Sequence, residues 1–272
     1  MKELFKCTEL LKEPHLQDLR TGGLGHLPDW KIKTNINRRL ICFLMYNIYP
    51  TTMTLDLGDG KKKLQITAYG IQMLFGLPSG RDTPPRPSDN GNDEAVMLLK
   101  QELGIPRNKH INTDKLRTLL EELVKDEASH ALAMKVFGLI LYMKFICPGY
   151  SVRVSRKSPM VQEMTIAELK NVDLCQLLVD ELKRAVINWQ KAGADWRAVP
   201  GCCIASLLMY LDCIHHRKLS PKDKRTPRIL YMDEKNFKKL SKIDLMKRGT
   251  EDPRTWIFGA QPVSSAFLSF FF

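Results

Sequence analysis

Cys202, Cys203, Cys213, His215 and His216 form the densest run of metal-ligating side chains in the chain. A structural zinc site needs four such ligands converging on one ion, commonly with cysteines two to four residues apart. Cys202 and Cys213 are instead eleven residues apart, about 16 Å along a helix, too far to share a metal. No Cys-x-x-Cys pair occurs anywhere. The spacing predicts structural cysteines on a core helix, with His215 and His216 at its C-terminal end, where the helix dipole favours positive charge. No cysteine sits in a glycine-flanked turn opening a helix in polar surroundings, as an activated thiol usually does.

Phosphate chemistry fares no better. Gly60-Lys61-Lys62 lacks both the earlier glycine and the Ser/Thr of a phosphate-binding loop, so it reads as a hairpin turn. Gly22-Gly-Leu-Gly25 is not followed by the third glycine of a dinucleotide fingerprint, nor by a βαβ unit. Glu181 lies on the apolar stripe of a helix. A catalytic carboxylate fits there, but a carboxylate paired with Lys or Arg at the stripe's edge is expected. With no complete catalytic motif, the chain is expected not to be an enzyme and to need no cofactor or metal.

The strongest charge feature is His215–Arg228, which carries Arg217, Lys218, Lys222, Lys224, Arg225 and Arg228 with Leu219 its only apolar anchor. Lys/Arg-rich tracts of this kind suit nuclear import or phosphate contact, and a solvated loop fits the composition equally. Arg217, Lys218, Lys222, Lys224 and Arg225 are the candidate contact residues, acting through phosphate without regard to base sequence. Ser220-Pro221 and Thr226-Pro227 are candidate phosphate acceptors that would lower the local positive charge.

The whole chain has 42 Lys and Arg against 30 Asp and Glu, a net charge of +12 with a pI near 9.4. Residues 1–87 hold 13 basic and 8 acidic side chains, and residues 213–272 hold 13 and 6, while the middle is close to neutral. A basic field of this kind favours polyanions. The 272 residues suffice to bury a core without disulfide or metal. Seven cysteines, five of them inside apolar runs, predict buried free thiols in a reducing compartment, nuclear or cytoplasmic. The N-terminus lacks the apolar core of a signal peptide. The uncharged apolar run Ala198–Leu211 is shorter than the roughly 17–25 residues of a membrane-spanning helix. Membrane association is not expected.

Periodicity and punctuation predict a mainly α fold: a helical globular domain with a small β hairpin near residues 53–66. Glu3–Leu19 and Ile36–Ile48 read as helices. Met53–Leu57 and Lys61–Ile66 flank the Asp59-Gly60 turn signal. Thr67 is placed to cap a helix ending at Phe75, before Gly76 and Pro78. Ser79–Asp93, rich in Pro and Gly, reads as loop. Helices follow over Asp93–Leu103, Thr113–Val124, Ala128–Cys147, Leu174–Trp189 and Gly201–Ile214. The Ala128–Cys147 segment is apolar nearly all round, which puts it at the centre of a domain. Leu178 and Leu182 are expected to be buried against it. Arg228–Met232 reads as a short strand, and Asp233 as the cap of a last helix with Phe237, Leu240, Ile243 and Leu245 inside. The division expected is 1–80 for helices plus hairpin, 81–93 for a linker, 94–250 for a helical domain and 251–272 for an irregular tail.

The order of these segments resembles a known family. Gly22-Gly-Leu-Gly-His-Leu27, the apolar helix, the paired strands, Leu64–Asp82 ("LQITAYGIQMLFGLPSGRD") and Asp173–Gln190 ("DLCQLLVDELKRAVINWQ") are similar to the plant mobile domain family. These are transposon-derived plant proteins, sometimes labelled aminotransferase-like. The subgroup most resembled carries the module upstream of a SUMO-protease-type cysteine peptidase domain. The resemblance implies a nuclear, non-catalytic interaction module that contacts chromatin or protein partners. The alternative it implies is the N-terminal, non-catalytic region of such a peptidase, whose His, Asp and Cys would lie beyond residue 272. The Schiff-base lysine, phosphate-binding turn and large α/β domain of a pyridoxal phosphate enzyme are not recognisable. Gly259–Phe272 departs from the family pattern by turning apolar, as a truncated gene end would.

Overall fold

Pro14 cannot sit inside a helix without losing a backbone hydrogen bond, and the N-terminal segment breaks accordingly. Helix α1 spans Lys2–Thr8 and α2 spans Glu13–Thr21, where periodicity had suggested one helix. The computed structural model describes residues 2–33, 37–56, 63–82, 92–148, 164–195, 199, 201–250, 252 and 255–263. Ten α-helices among them, with one three-stranded antiparallel sheet and one two-stranded sheet, make the fold mainly α. The Asp59-Gly60 turn, most of the Pro-rich loop and residues 264–272 of the tail lie outside the described residues.

The chain divides into two compact units, Met1–Pro28 with Pro78–Leu177, and Asp29–Leu77 with Leu178–Phe272. Each is discontinuous in sequence, so the contiguous division at residues 80 and 94 does not coincide with it. The Pro-rich stretch begins just after the junction between Leu77 and Pro78, and its first residues belong to the first unit. Ser79 bridges to Asp173 and Asp82 to Val172. Gly80 lies so close to the Asn171–Val172 backbone that a Cβ would fall 1.9 Å from the Asn171 carbonyl oxygen.

The first unit also holds α5 (Asn92–Glu102), α6 (Thr113–Leu123) and α7 (His130–Leu141). Asn112 caps α6 by accepting from the Lys115 N–H at 2.9 Å. Helix α7 runs into a π-helical turn at Tyr142–Ile146. It packs on α1, α2 and α6, and Val136 through Leu141 are all buried, as expected of a helix wetted on no side. Glu127–Ile146 is 20 residues long with mean hydropathy 1.3, long and apolar enough by composition to cross a membrane, and 67% of its apolar window is buried within the protein. This exceeds the Ala198–Leu211 run singled out from charge alone, because Lys135 and Lys144 interrupt it.

In the second unit, α3 (Arg38–Asn47), α4 (Ala68–Phe75) and α10 (Glu234–Ile243) pack on α9 (Cys203–Cys213). Every residue of α9 is buried. Thr67 Oγ1 accepts from the Gly70 N–H at 3.0 Å, and Gly76 closes α4 at φ 68°, a left-handed conformation that glycine adopts without strain. The expected hairpin, β2 (Thr54–Asp56) with β3 (Lys63–Gln65), gains an edge strand, β1 (Ile48–Tyr49). Leu55 lies opposite both Ile48 and Leu64, so three buried apolar side chains line one face of the sheet. Helix α8 (Leu174–Lys191) crosses the division between the units; its residues Leu178 and Leu182 are fully buried.

Three local expectations fail. Arg228–Tyr231 is a 3-10 turn rather than a strand. Arg228 and Ile229 are both buried, so the alternation of a half-exposed strand is absent. Ile243 is 40% exposed and Leu245 half-buried, since α10 ends there and its buried face passes to Phe237 and Leu240. The tail is not wholly irregular: β5 (Ile257–Phe258) pairs with β4 (Leu245–Lys247), and Trp256 and Phe258 are buried.

Candidate nucleic-acid interface

The loop after α9 is built from its own short-range hydrogen bonds. The His215 N–H donates to the Pro262 carbonyl at 2.8 Å, and Ile214 bridges Val263. His216 does not extend the helix. Its Nδ1 accepts from the Lys218 and Leu219 N–H groups at 3.3 and 3.2 Å, forming a turn. Ser220 Oγ donates to the Ile214 carbonyl at 2.6 Å and accepts from the His216 N–H at 2.8 Å. Its hydroxyl is therefore engaged in the turn, whereas Thr226 is exposed.

Arg217, Lys218, Lys222, Lys224 and Arg225 are all exposed, but they are not equivalent. Arg225 forms a forked pair with Asp223, with Nη2 to Oδ2 at 2.6 Å and Nε to Oδ1 at 3.1 Å. These bonds, chiefly from the Arg225 side chain, pull the Asp223 carboxyl down to about 2. The guanidinium also lies 4.8 Å from the Tyr231 ring centre. Desolvation lowers the Lys224 ammonium below its ordinary value, with Asp212 opposing that shift. Among the described residues, Arg217, Lys218 and Lys222 have no ion-pair partner.

Arg228, counted from the sequence as a sixth basic residue of the loop, belongs to the core. It is 4% exposed, as is Asp212 at the end of α9. Their side chains meet in a two-pronged ion pair, Nε to Oδ2 at 2.9 Å and Nη2 to Oδ1 at 2.8 Å. Arg228 Nη1 also donates to the backbone carbonyls of Asp223 and Arg225. The buried pair thus holds the base of the exposed loop. A signal for it exists in the sequence: Asp212 directly follows the uncharged apolar run Ala198–Leu211, and a buried carboxylate needs a cationic partner.

The other chemical candidates resolve into structural roles. Glu181 is 7% exposed and pairs with Arg184 one turn on. Desolvation raises the thiols of Cys7 and Cys42 to about 11 and of Cys175 and Cys203 to about 12, and that of Cys213 further still. Such thiols are poor nucleophiles. Among the described residues no group of three His, Cys, Asp or Glu side chains converges in a way that could hold a metal. Two clefts of about 460 and 410 Å³ share Tyr49. Gln190 lines the first and donates to the Met45, Tyr46 and Ile48 carbonyls. The second holds the Asp56–Lys63 ion pair at 3.5 Å.

Residues 1–208 match the sequence profile of a domain of unknown function, DUF8566, and the chain belongs to that family. No curated protein and no solved structure matches it. The loop and the Arg228 pair follow the matched residues in sequence.

Proposed function

We propose that this chain is a non-catalytic, mainly helical interaction module of a transposon-derived plant nuclear protein, contacting chromatin through sequence-independent phosphate contacts and engaging protein partners. The observation that carries the reading is the His215–Thr226 loop, a set of exposed cations anchored from beneath by a buried ion pair. A loop with a fixed base presents its charges at lower entropic cost than a free tail. The resemblance to plant mobile domains supplies the nuclear and transposon-derived parts of the reading.

The test is filter binding of a DNA duplex across a salt series. Each phosphate neutralised contributes about −0.9 to the slope of log K against log salt. Neutralising Arg217, Lys218, Lys222, Lys224 and Arg225 together is expected to weaken binding equally for unrelated sequences. Because Asp223 already offsets Arg225 and Lys224 is partly desolvated, the slope should flatten by about 2.7, three contacts' worth. An unchanged slope, or no binding at low salt, overturns the reading.

A further inference from the structure

The division into units sorts the charge in a way that position along the chain conceals. The first unit holds 18 basic and 17 acidic side chains, and the second 24 and 13. Nearly all of the net +12 resides in the second unit, and the His215–Thr226 loop accounts for only part of it.

Helix α10 carries the rest of the pattern. Phe237, Leu240 and Ser241 face the core, while Lys235, Lys238, Lys239 and Lys242 are exposed. At 100° per residue the four lysines cluster on one side, opposite the buried stripe. Lys238 is paired with Glu234. Among the described residues, Lys235, Lys239 and Lys242 have no ion-pair partner. Their spacing of four and three residues spans about 10 Å of helix.

The acidic groups of this region are already committed. Glu234 holds Lys238 and accepts from the Lys33 N–H at 2.9 Å. Asp233 caps α10 by accepting from the Asn236 N–H at 2.8 Å. Asp244 is wholly buried and accepts from the Tyr210 hydroxyl and from the Gly259 and Gln261 N–H groups. Exposed cations also flank the helix. The Lys33 backbone lies against Glu234, and Asn37, which precedes Arg38, donates to Ser241 Oγ at 3.4 Å. Lys33 and Arg38 are both exposed.

From this arrangement we infer that the lysine face of α10 is a second binding surface, and that its occupant is the phosphate backbone of double-stranded DNA. The inference rests on the proposed polyanion contact and names the surface that makes it. A bilayer is the poorer fit, because an interfacial helix must free its apolar face, and Phe237 and Leu240 are both fully buried. A single strand is also the poorer fit, because base stacking needs exposed aromatic rings and the only ring on α10 is that of Phe237. Lysines act here as point charges on phosphate and carry no base preference.

The experiment compares wild type with a helix triple (Lys235→Gln, Lys239→Gln, Lys242→Gln) and a loop triple (Arg217→Gln, Lys218→Gln, Lys222→Gln). Two unrelated duplexes are titrated between 20 mM and 200 mM salt, with urea midpoints as the fold control. For the helix triple, loss of all three contacts should weaken binding roughly 500-fold at 0.1 M salt and flatten the slope by about 2.7, identically for both duplexes. A Lys→Arg triple at the same positions should bind as wild type, and Lys239→Glu alone should weaken binding without moving the urea midpoint. If the loop triple weakens binding while the helix triple does not, the inference falls and the proposed function stands. If wild type binds neither duplex at 20 mM salt, both fall. Helix-dependent binding to anionic vesicles or to single strands, with none to duplex, overturns the inference.

Discussion

Replacing Arg228 by methionine keeps most of the side-chain volume and removes the charge. The change leaves Asp212, 4% exposed, without the two charge-assisted bonds at 2.8 and 2.9 Å that now satisfy it. Removing one partner of a buried ion pair costs about 3–5 kcal/mol, because the remaining charge is left uncompensated. Arg228→Met is therefore expected to lower the urea unfolding free energy by about 3–5 kcal/mol. It also frees the Asp223 and Arg225 carbonyls that Arg228 holds, so the loop should become more sensitive to protease. Replacing both partners (Asp212→Leu with Arg228→Met) should recover most of the loss, since a desolvated pair and a well-packed apolar pair are close in free energy. A single-variant cost below about 1 kcal/mol, or a double variant as unstable as the sum of the singles, would refute the claim that the pair is buried and mutually satisfied.

Leu182 is fully buried, so Leu182→Ala is expected to cost about 2–5 kcal/mol by urea unfolding; a change within the range of surface substitutions would show that the site is solvated. Burial holds the His15 imidazole below its ordinary pKa, with the stacked His130 ring adding to the effect and Asp18 opposing it. Nδ1 of His15 accepts from the Lys12 N–H, while its buried Nε2 has no hydrogen-bond partner among the described residues. The folded state therefore favours the neutral ring, and the unfolded chain takes up the proton first as pH falls through about 6.5. Stability from this residue is fully present above that pH and declines on acidification toward the folded pKa. Urea midpoints from pH 7.5 to 5 should fall, and His15→Gln should flatten the fall; a midpoint rising on acidification would contradict the assignment.

What the sequence made legible was what local chemistry decides. Thr67 and Gly76 bound α4 because a hydroxyl cap and a left-handed glycine act within one turn. The buried stripe of α8 and the apolar girth of α7 follow from helical period alone. Edge strand β1 escaped notice because two residues provide no alternation to detect. The β4–β5 pairing joins residues ten and thirteen positions apart, and the clasp of Asp244 on Gly259 and Gln261 joins residues fifteen and seventeen apart. No window of local pattern reports such a meeting.

The candidate site shows the same division at the level of single charges. Arg225 and Arg228 stand three residues apart in one basic tract, and composition weighs them equally. One is exposed and forked onto Asp223; the other is buried on Asp212. The difference originates in α9, whose apolar length delivers Asp212 to the core and so requires a cation to follow it in. Counting charges along the tract therefore overstates its reach toward phosphate. Arg228 is withdrawn, Arg225 is offset by its own neighbour, and Lys224 is partly desolvated. The three cations that remain account for a salt slope of about −2.7. A measured wild-type slope much steeper than that requires further cations, and the unpaired lysines of α10, on the same basic unit, are available to supply them.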